Sequence, residues 1–493
     1  MKILLVNPPQ SFYPGSDLVS GNIPLGLMYV AAVMDKAGYS IEILDAFMAN
    51  FSPRTSGDTV EIGMPYDKIK DEMQKRKPDL VGIANPFSTQ VHHAKKVAEA
   101  AKEVNPKIVT VVGGPHVTVV PKEFLSESPS VDIAVIGEGE YTLLDIVKAQ
   151  EGSKTMAEVR GIAYRHDGEV LINPIRPFIK NLDGLPYPAY HLIDMEQYLN
   201  PTKIEYRSFK PRALSMITSR GCPHRCCFCS VHLHMGTAFR AHSPSYVADH
   251  LQYIVEKYKV KNVFFEDDNL TFDMKRMEDI CDQIIERKIK FHWETPNGIR
   301  ADRVNQELLK KMKKSGCRSV FFGVESGDQC VSDNIIQKDL DLANVVGVAK
   351  ICKKIHLNSA GFYVIGFPGE TKENMNQTVD FALRLKREYD FGMHLLIATP
   401  SYGTKLYEEC VKLGYLKREL TPRALAEVRQ TKGQPLIETP DFSADEVKEI
   451  ATQTMRKYKH LSLINSIKYP GKTLGTLFSE PRIAVKFVKN MLS

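Results

Sequence analysis

Over the first third of the chain, short apolar runs alternate with stretches of helical period. The runs fall at 3–7, 41–44, 80–84, 108–112 and 133–136, each short and rich in Val and Ile. Between them, 25–37 and 93–104 place apolar residues every three to four positions. Continuous apolar runs suit strands buried on both faces, and their alternation with helices predicts a parallel, doubly wound, Rossmann-like sheet. Such sheets take ligands at the carboxyl ends of their strands. Those ends read Asn7-Pro-Pro-Gln, Asp45-Ala, Asn85-Pro-Phe-Ser-Thr, Gly113-Gly-Pro-His and Gly137-Glu-Gly-Glu. Glycines at two of them either bring backbone close to a ligand or only make tight turns.

The pattern changes at 156–200. Residues 162–172 read as a β-hairpin about Asp167-Gly168, and 183–190, with two prolines, reads as a boundary or as an ordered strap over an interface. Beyond it a strand-and-helix pattern repeats six times, with strands at 213–218, 262–265, 291–294, 319–323, 361–365 and 394–398 and helices such as 246–257 and 304–315. That predicts a partial (β/α)6 barrel of TIM type, whose working residues sit at the carboxyl ends of the strands. Polar clusters stand at those ends: Glu266-Asp-Asp-Asn269, Glu325-Ser-Gly, Gly366-Phe-Pro-Gly-Glu370 and Thr399 to Thr404. Near the end, Ser443 and Glu446 form a capping box opening a helix, and 483–492 carries a second helical pattern. The fold class expected is α/β, with domains at 1–150, 151–205 (hairpin and linker), 206–412 and 413–493, the last a small helical region.

The 493 residues have 43% hydrophobic and 25% charged composition, as ordinary globular chains do. No run of 18 apolar residues predicts a transmembrane segment, and the start lacks a signal-peptide core, which points to a reducing, cytoplasmic setting. The formal charge of +6 is mild, and no nucleic-acid partner is expected. Its excess concentrates in two places. Residues 461–493 carry five Lys or Arg against Glu480, and 201–225 carry six against Glu205. A solvated face is the plain reading of each, and an anionic substrate, a protein partner or a membrane surface the sharper one.

The nine cysteines form no disulfide framework, because none precedes Cys222 and four lie within 222–229. Cys222, Cys226 and Cys229 stand in CxxxCxxC spacing directly after an apolar strand. Three thiolates from one loop can hold three irons of a [4Fe-4S] cluster and leave the fourth open to another ligand. A zinc site is the competing reading, with Cys227, His224, His232 and His234 close by, but zinc ribbons pair CxxC knuckles and no second knuckle follows.

This spacing, with the aromatic Phe228 immediately before the third cysteine, resembles the radical S-adenosylmethionine (SAM) superfamily. The resemblance implies that SAM chelates the open iron and is cleaved to a 5′-deoxyadenosyl radical. Carried residue by residue, Glu266, Asp267 and Asp268 resemble the segment that meets the SAM amino group, Glu325 and Ser326 the ribose-contacting motif, and Ile365 the strand flanking adenine. Arg300 is a candidate partner for the SAM carboxylate, or else caps a helix or pairs with Glu294.

The first third resembles the cobalamin-binding domain that precedes many radical enzymes, through Val6-Asn-Pro-Pro9, 24–27, Gly38, Asp45, Ser88, Gly113, Gly114 and Gly137-Glu138-Gly139-Glu140. Ser88, Gly113 and Gly114 then lie against the corrinoid nucleotide tail. The DxHxxG sequence that supplies an axial histidine is absent after the first strand, so cobalt is expected without a histidine from that position. The whole resembles the methyltransferase branch of the B12-dependent radical SAM enzymes. It implies an anaerobic enzyme that moves a methyl group from SAM via methylcobalamin to an unactivated sp3 carbon. The acceptor is a protein or a small molecule, the leading expectation being a glutamine of methyl-coenzyme M reductase, and the electron donor a ferredoxin or flavodoxin. The alternative is a B12-dependent radical cyclase or rearrangement enzyme acting on a tetrapyrrole or other small molecule. A methylthiotransferase is disfavoured because that branch carries cysteines in the N-terminal domain. The reaction requires the carboxyl ends of both sheets to face each other.

Overall fold

The computed structural model describes residues 1–12, 23–49, 53–56, 59–200, 212–428 and 434–468. The first sheet contains β1 (Lys2–Asn7), β2 (Ser40–Asp45), β3 (Leu80–Ala84), β4 (Val109–Gly113), β5 (Ile133–Val135), β6 (Ile162–His166) and β7 (Glu169–Ile172). Its order is β7-β6-β5-β4-β3-β1-β2. The first five strands are parallel, and the hairpin β6–β7 is added antiparallel to the edge at β5. The hairpin is thus part of the first sheet instead of a free-standing connection.

Side chains alternate cleanly between the faces of that sheet. Ile3, Leu5, Ile41, Ile43 and Val111 point to one apolar cluster with helices Leu25–Lys36 and Glu140–Gln150. Leu4, Val6, Val81, Ile83 and Val112 point to another with helices Tyr66–Arg76 and Val91–Val104. Both faces are covered, as the unbroken apolar runs require. The parallel order 2-1-3-4-5 reverses between β1 and β3, and the crevice of such a sheet opens at the carboxyl ends beside that reversal. Here those ends carry Asn7-Pro8-Pro9 and Asn85 to Ser88.

The second sheet has six strands in chain order: β8 (Ala213–Met216), β9 (Asn262–Phe265), β10 (His292–Ile299), β11 (Cys317–Glu325), β12 (Asn358–Ile365) and β13 (Gly392–Ile397). All neighbours are parallel, with a helix after each turn of the pattern, which is the partial barrel expected. The third strand runs five residues further than its apolar run, to Ile299. Gly298 sits in that extension at φ +87°, a conformation open to glycine without cost. The extension sets Arg300 at the carboxyl edge.

The strap at 183–190 is ordered. Asp183 accepts from the Ser243 N–H at 2.9 Å, Tyr187 stacks on His250 with ring centres 4.3 Å apart, and the Ala189 N–H donates to Met28 O at 3.1 Å. It ties helix Leu25–Lys36 of the first unit to helix Pro244–Tyr258 of the second. The Ser443–Glu446 capping box is formed, with Ser443 N–H to Glu446 Oε2 at 2.8 Å, and opens helix Ala444–Lys468. The helical pattern at 483–492 lies outside the described residues. No helix among the described residues is long and apolar enough to cross a membrane.

Candidate active site

The carboxyl ends of the two sheets face each other. Glu138 and Glu140, just past β5, meet Arg220 at the start of the cysteine loop. His116, just past β4, lies edge-on to Tyr402, past β13, with ring centres 5.3 Å apart. A Cβ added to Gly403 would meet Val119 at 2.4 Å and Leu233 at 3.2 Å. The loops after β4, β5, β8 and β13 are therefore packed against one another.

The cysteine loop leaves β8 and is closed at its base by a two-residue antiparallel pair, Ser219–Arg220 with Arg240–Ala241. Asp267, after β9 and almost fully buried, braces its entry by accepting from Thr218 N–H at 3.1 Å, Thr218 Oγ1 at 2.8 Å and Ser219 Oγ at 2.5 Å. Arg276 adds bonds from Nη2 to Thr218 O at 2.9 Å and from Nε to His242 O at 2.7 Å. Gly221 must stay glycine: at φ +83° its Cβ would lie 2.4 Å from Ala238 O.

Within the loop, Cys226 is buried and Cys222 and Cys229 are partly so. Cys229 N–H donates to Cys226 O at 3.0 Å, which curls the CxxC turn, and Asn269 Nδ2 lies 3.6 Å from Cys222 Sγ. Burial pushes the Cys226 thiol up and the Cys229 thiol up to about 12. A buried thiol of that kind ionises when a metal replaces its proton, so the donor set fits an iron–sulfur cluster. Among the described residues no three His, Cys, Asp or Glu side chains are grouped to hold a single metal ion; cluster thiolates bind separate irons and need no such convergence. Cys227 is buried with its thiol up to about 12, and its backbone pairs with Ile336 O and Leu406 N–H. His232 and His234 lie on the short helix Val231–His234. Their Nδ1 atoms, and His224 Nε2, are buried without a hydrogen-bond partner.

Around the loop stand the other expected residues. Phe228 packs on Phe367, ring centres 5.8 Å apart. Glu266 accepts from Ser215 Oγ at 3.3 Å. Asp268 is pushed up to about 6, by burial first and then by the neighbouring Asp267 charge. Glu325, at φ +69°, receives Lys338 Nζ at 2.8 Å, and both are buried. Ser326 Oγ is 2.9 Å from Thr378 Oγ1, and Ile365 closes β12, fully buried. Arg300 pairs bidentately with Asp302, Nε–Oδ1 2.9 Å and Nη2–Oδ2 3.0 Å, and donates to Lys338 O and Asp339 O. Its guanidinium is occupied within the protein, holding the turn that carries Lys338.

On the facing edge, Ser88 Oγ lies 3.0 Å from His116 Nδ1, while the Asn85 Oδ1 atom is buried without a partner. Phe87 is 46% exposed there. A half-exposed apolar ring among Gly-Pro loops fits a broad apolar ligand such as a corrin. Gly113 has only ordinary contact with Val135, at 3.5 Å, whereas a Cβ on Gly114 would stand 2.0 Å from Asn85 O. Gly114 is required by its own backbone neighbour. Gly137, at φ +80°, donates its N–H to Thr118 Oγ1 at 3.0 Å. Both oxygens of Glu138 are taken by protein donors: Oε1 by Arg220 and Arg240, Oε2 by the Ile179 N–H at 2.6 Å.

Sequence reasoning missed Arg220, Arg240, Asp302 and Lys338. Arg220, with Arg212, changes the reading of the basic stretch at 201–225. Arg220 is the buried counter-charge of Glu138 and Glu140, and Arg212 pairs with Glu196 at 3.0 Å; neither is a solvated face. Lys203, Arg207 and Lys210 lie outside the described residues, as does most of the basic tail. Two acids at the end of an apolar strand were the available signal, since buried acids need partners.

A doubly wound sheet whose carboxyl edge meets a thiol-bearing partial barrel defines a B12-binding radical SAM protein. The B12 binding domain family matches residues 19–147 and the Radical SAM superfamily matches residues 216–382. An uncharacterized methyltransferase, PH0819, from Pyrococcus horikoshii is 33% identical over 411 residues, 83% of each chain. The cytidylyl-2-hydroxyethylphosphonate methyltransferase of Streptomyces wedmorensis is 32% identical over 499 residues, 93% of this chain and 90% of that one. The radical SAM methyltransferase TsrM of Kitasatospora setae, solved with cobalamin and a [4Fe-4S] cluster bound, shares the fold with a TM-score of 0.70 at 15% identity, over 92% of this chain and 91% of that chain. The chain belongs to the B12-dependent radical SAM methyltransferases, whose cofactors are cobalamin, a [4Fe-4S] cluster and SAM.

Proposed function

We propose that this enzyme methylates an unactivated sp3 carbon. The observation that supports it best is the opposition of the two carboxyl edges, because hydrogen abstraction and methyl delivery must converge on one carbon. Bound between those edges, the cluster and cobalamin supply one-electron cleavage of SAM and carriage of a methyl group. The chain's own residues bind and orient. Cys222, Cys226 and Cys229 hold the cluster, with Phe228 packed beside it. Glu266, Asp268 and Glu325 face SAM, with Lys338 held by Arg300 keeping Glu325 in place, while Ser326 and Ile365 shape the nucleoside side. Ser88, Gly113, Gly114 and Gly137 line the corrinoid edge, where His116 orients Ser88. Asp267 and Glu138 act through the loop they brace.

For the acceptor, similarity along nearly all of both chains to the cytidylyl-2-hydroxyethylphosphonate methyltransferase supports a small molecule. A glutamine side chain of methyl-coenzyme M reductase is the second acceptor to be tried. A cyclase reading is supported by the anaerobic magnesium-protoporphyrin IX monomethyl ester cyclase of Rubrivivax gelatinosus, 27% identical over 78% of this chain and 65% of that one. The test incubates the reconstituted, reduced enzyme with cytidylyl-2-hydroxyethylphosphonate, a glutamine peptide and the porphyrin ester in separate arms. A methyl mass increment in either of the first two supports the proposal; ring closure of the third without methyl gain would overturn it.

A further inference from the structure

The base of the cysteine loop is closed by a residue from the other unit. Arg220 and Arg240 face each other across the two-residue strand pair that joins the two ends of the loop. Like charges directly opposite on paired strands repel, and here both are buried, at 8% exposure each. What lies between them is Glu138 of the first unit: its Oε1 accepts from Arg220 Nη1 at 2.8 Å and from Arg240 Nη1 at 2.7 Å. Arg220 Nη2 reaches on to Glu140 at 2.7 Å, and Arg240 also donates to Ile179 O and Met235 O, both at 2.9 Å. Tyr29 lies under the Arg220 guanidinium at 5.4 Å and Phe178 under that of Arg240 at 4.8 Å. The set is two cations and two anions, all desolvated. Buried pairs of this kind add little stability over well-packed apolar groups but demand a fixed geometry.

The geometry points to Arg220, Arg240, Glu138 and Glu140 as a positioning clamp that sets the cysteine loop at a fixed distance and angle from the carboxyl edge of the first sheet. Arg220 is separated from Cys222 by one glycine, and Glu138 follows β5 by three residues. A shift of the first sheet therefore moves the cysteine loop directly. The clamp has no contact with reacting atoms. Its effect is on the relation between the two centres, and it rests on the methyl-transfer reading given above.

The consequence is a separation of two outputs that need no acceptor. Reductive cleavage of SAM to 5′-deoxyadenosine needs only the barrel unit, whereas formation of S-adenosylhomocysteine requires SAM on the barrel to meet cobalamin on the first sheet. R220K and R240K keep the charge and lose the fork that spans two acceptors. In reconstituted holoenzyme reduced with titanium(III) citrate and given SAM alone, the methyl passes to the reduced cobalamin and S-adenosylhomocysteine is limited to one per cobalamin; each variant is expected to slow that single turnover by about tenfold or more, while the initial rate of deoxyadenosine formation falls by no more than about twofold. A second readout uses the protein as purified, before cofactor loading. Amide hydrogen exchange is expected to quicken together in 135–142 and 217–241, with β1 to β4 unchanged.

A parallel fall of both products with iron content, at an unchanged ratio, would overturn the clamp and leave a loop-folding role. So would unchanged exchange on the first-sheet side. If the wild type itself forms deoxyadenosine but no S-adenosylhomocysteine, the methyl-transfer reading has failed, and the clamp is judged by exchange alone: coupled quickening on both sides upholds it, and quickening on one side refutes it.

Discussion

Asp267 accepts both the backbone N–H of Thr218, at 3.1 Å, and its hydroxyl, at 2.8 Å. The two residues lie just past the ends of neighbouring barrel strands, so one carboxylate pins the point where the chain leaves β8 for the cysteine loop. Burial raises the Asp267 pKa while the Ser219 and Thr218 donors and the Arg276 charge lower it. Replacing it with Asn leaves an NH2 facing donors. D267N is expected to lose about 2–3 kcal/mol of stability and, in anaerobic reconstitution, to take up less iron per chain. Iron content equal to wild type would contradict this bracing role.

Removing a thiol tests the cluster assignment. Cys226 is the buried member of the three. C226A is expected to abolish deoxyadenosine and methylated product alike, measured by chromatography and mass spectrometry after reduction. Methylation that persists would refute the radical assignment.

Gly114 separates a packing requirement from a ligand contact. At φ +141° a Cβ would stand 2.0 Å from Asn85 O. G114A is therefore expected to destabilise the protein before any cobalamin is added, by about 3 kcal/mol or more, read as a lower Tm of the apoprotein. An unchanged apoprotein Tm with weakened cobalamin binding would instead assign Gly114 to the ligand alone.

Glu370, after β12, is fully buried. Its Oε2 accepts the N–H groups of Gly366 and Phe367, both at 2.7 Å, and its Oε1 has no partner. Burial pushes the carboxyl up to about 7 from 4.5, against the pull of those two donors. A folded-state pKa above the unfolded value gives stability that is complete below about pH 4.5 and lost as pH rises through 7. E370Q keeps the acceptor and cannot ionise. At pH 8 it is expected to be more stable than wild type by up to about 3 kcal/mol, and near pH 5 to match it. A Tm difference that does not change between those pH values would contradict the assignment.

Much of this architecture was legible along the chain. The unbroken apolar runs at 3–7, 80–84 and 262–265 became strands with little change of boundary, because doubly covered strands must be apolar throughout. The CxxxCxxC loop was legible from spacing alone. What could not be read were pairings between distant charges. Arg220 and Glu138 are far apart in sequence, and no local pattern distinguishes a buried counter-charge from a solvated one. Arg300 was expected to pair with the SAM carboxylate or with Glu294, whereas its carboxylate partner here is Asp302, two residues on in the following turn. The end of β10 was missed because Thr295-Pro-Asn-Gly298, ahead of its last residue Ile299, reads as a turn, with a proline and a glycine that ordinarily interrupt a strand.

The most direct test of the account is the fate of SAM. The reconstituted wild-type enzyme, reduced anaerobically and given SAM with a deuterated methyl group and an acceptor it turns over, is expected to yield deoxyadenosine, S-adenosylhomocysteine and an acceptor carrying the deuterated methyl, in equal amounts. Deoxyadenosine with product but without S-adenosylhomocysteine would contradict methyl transfer and leave a cyclase or rearrangement.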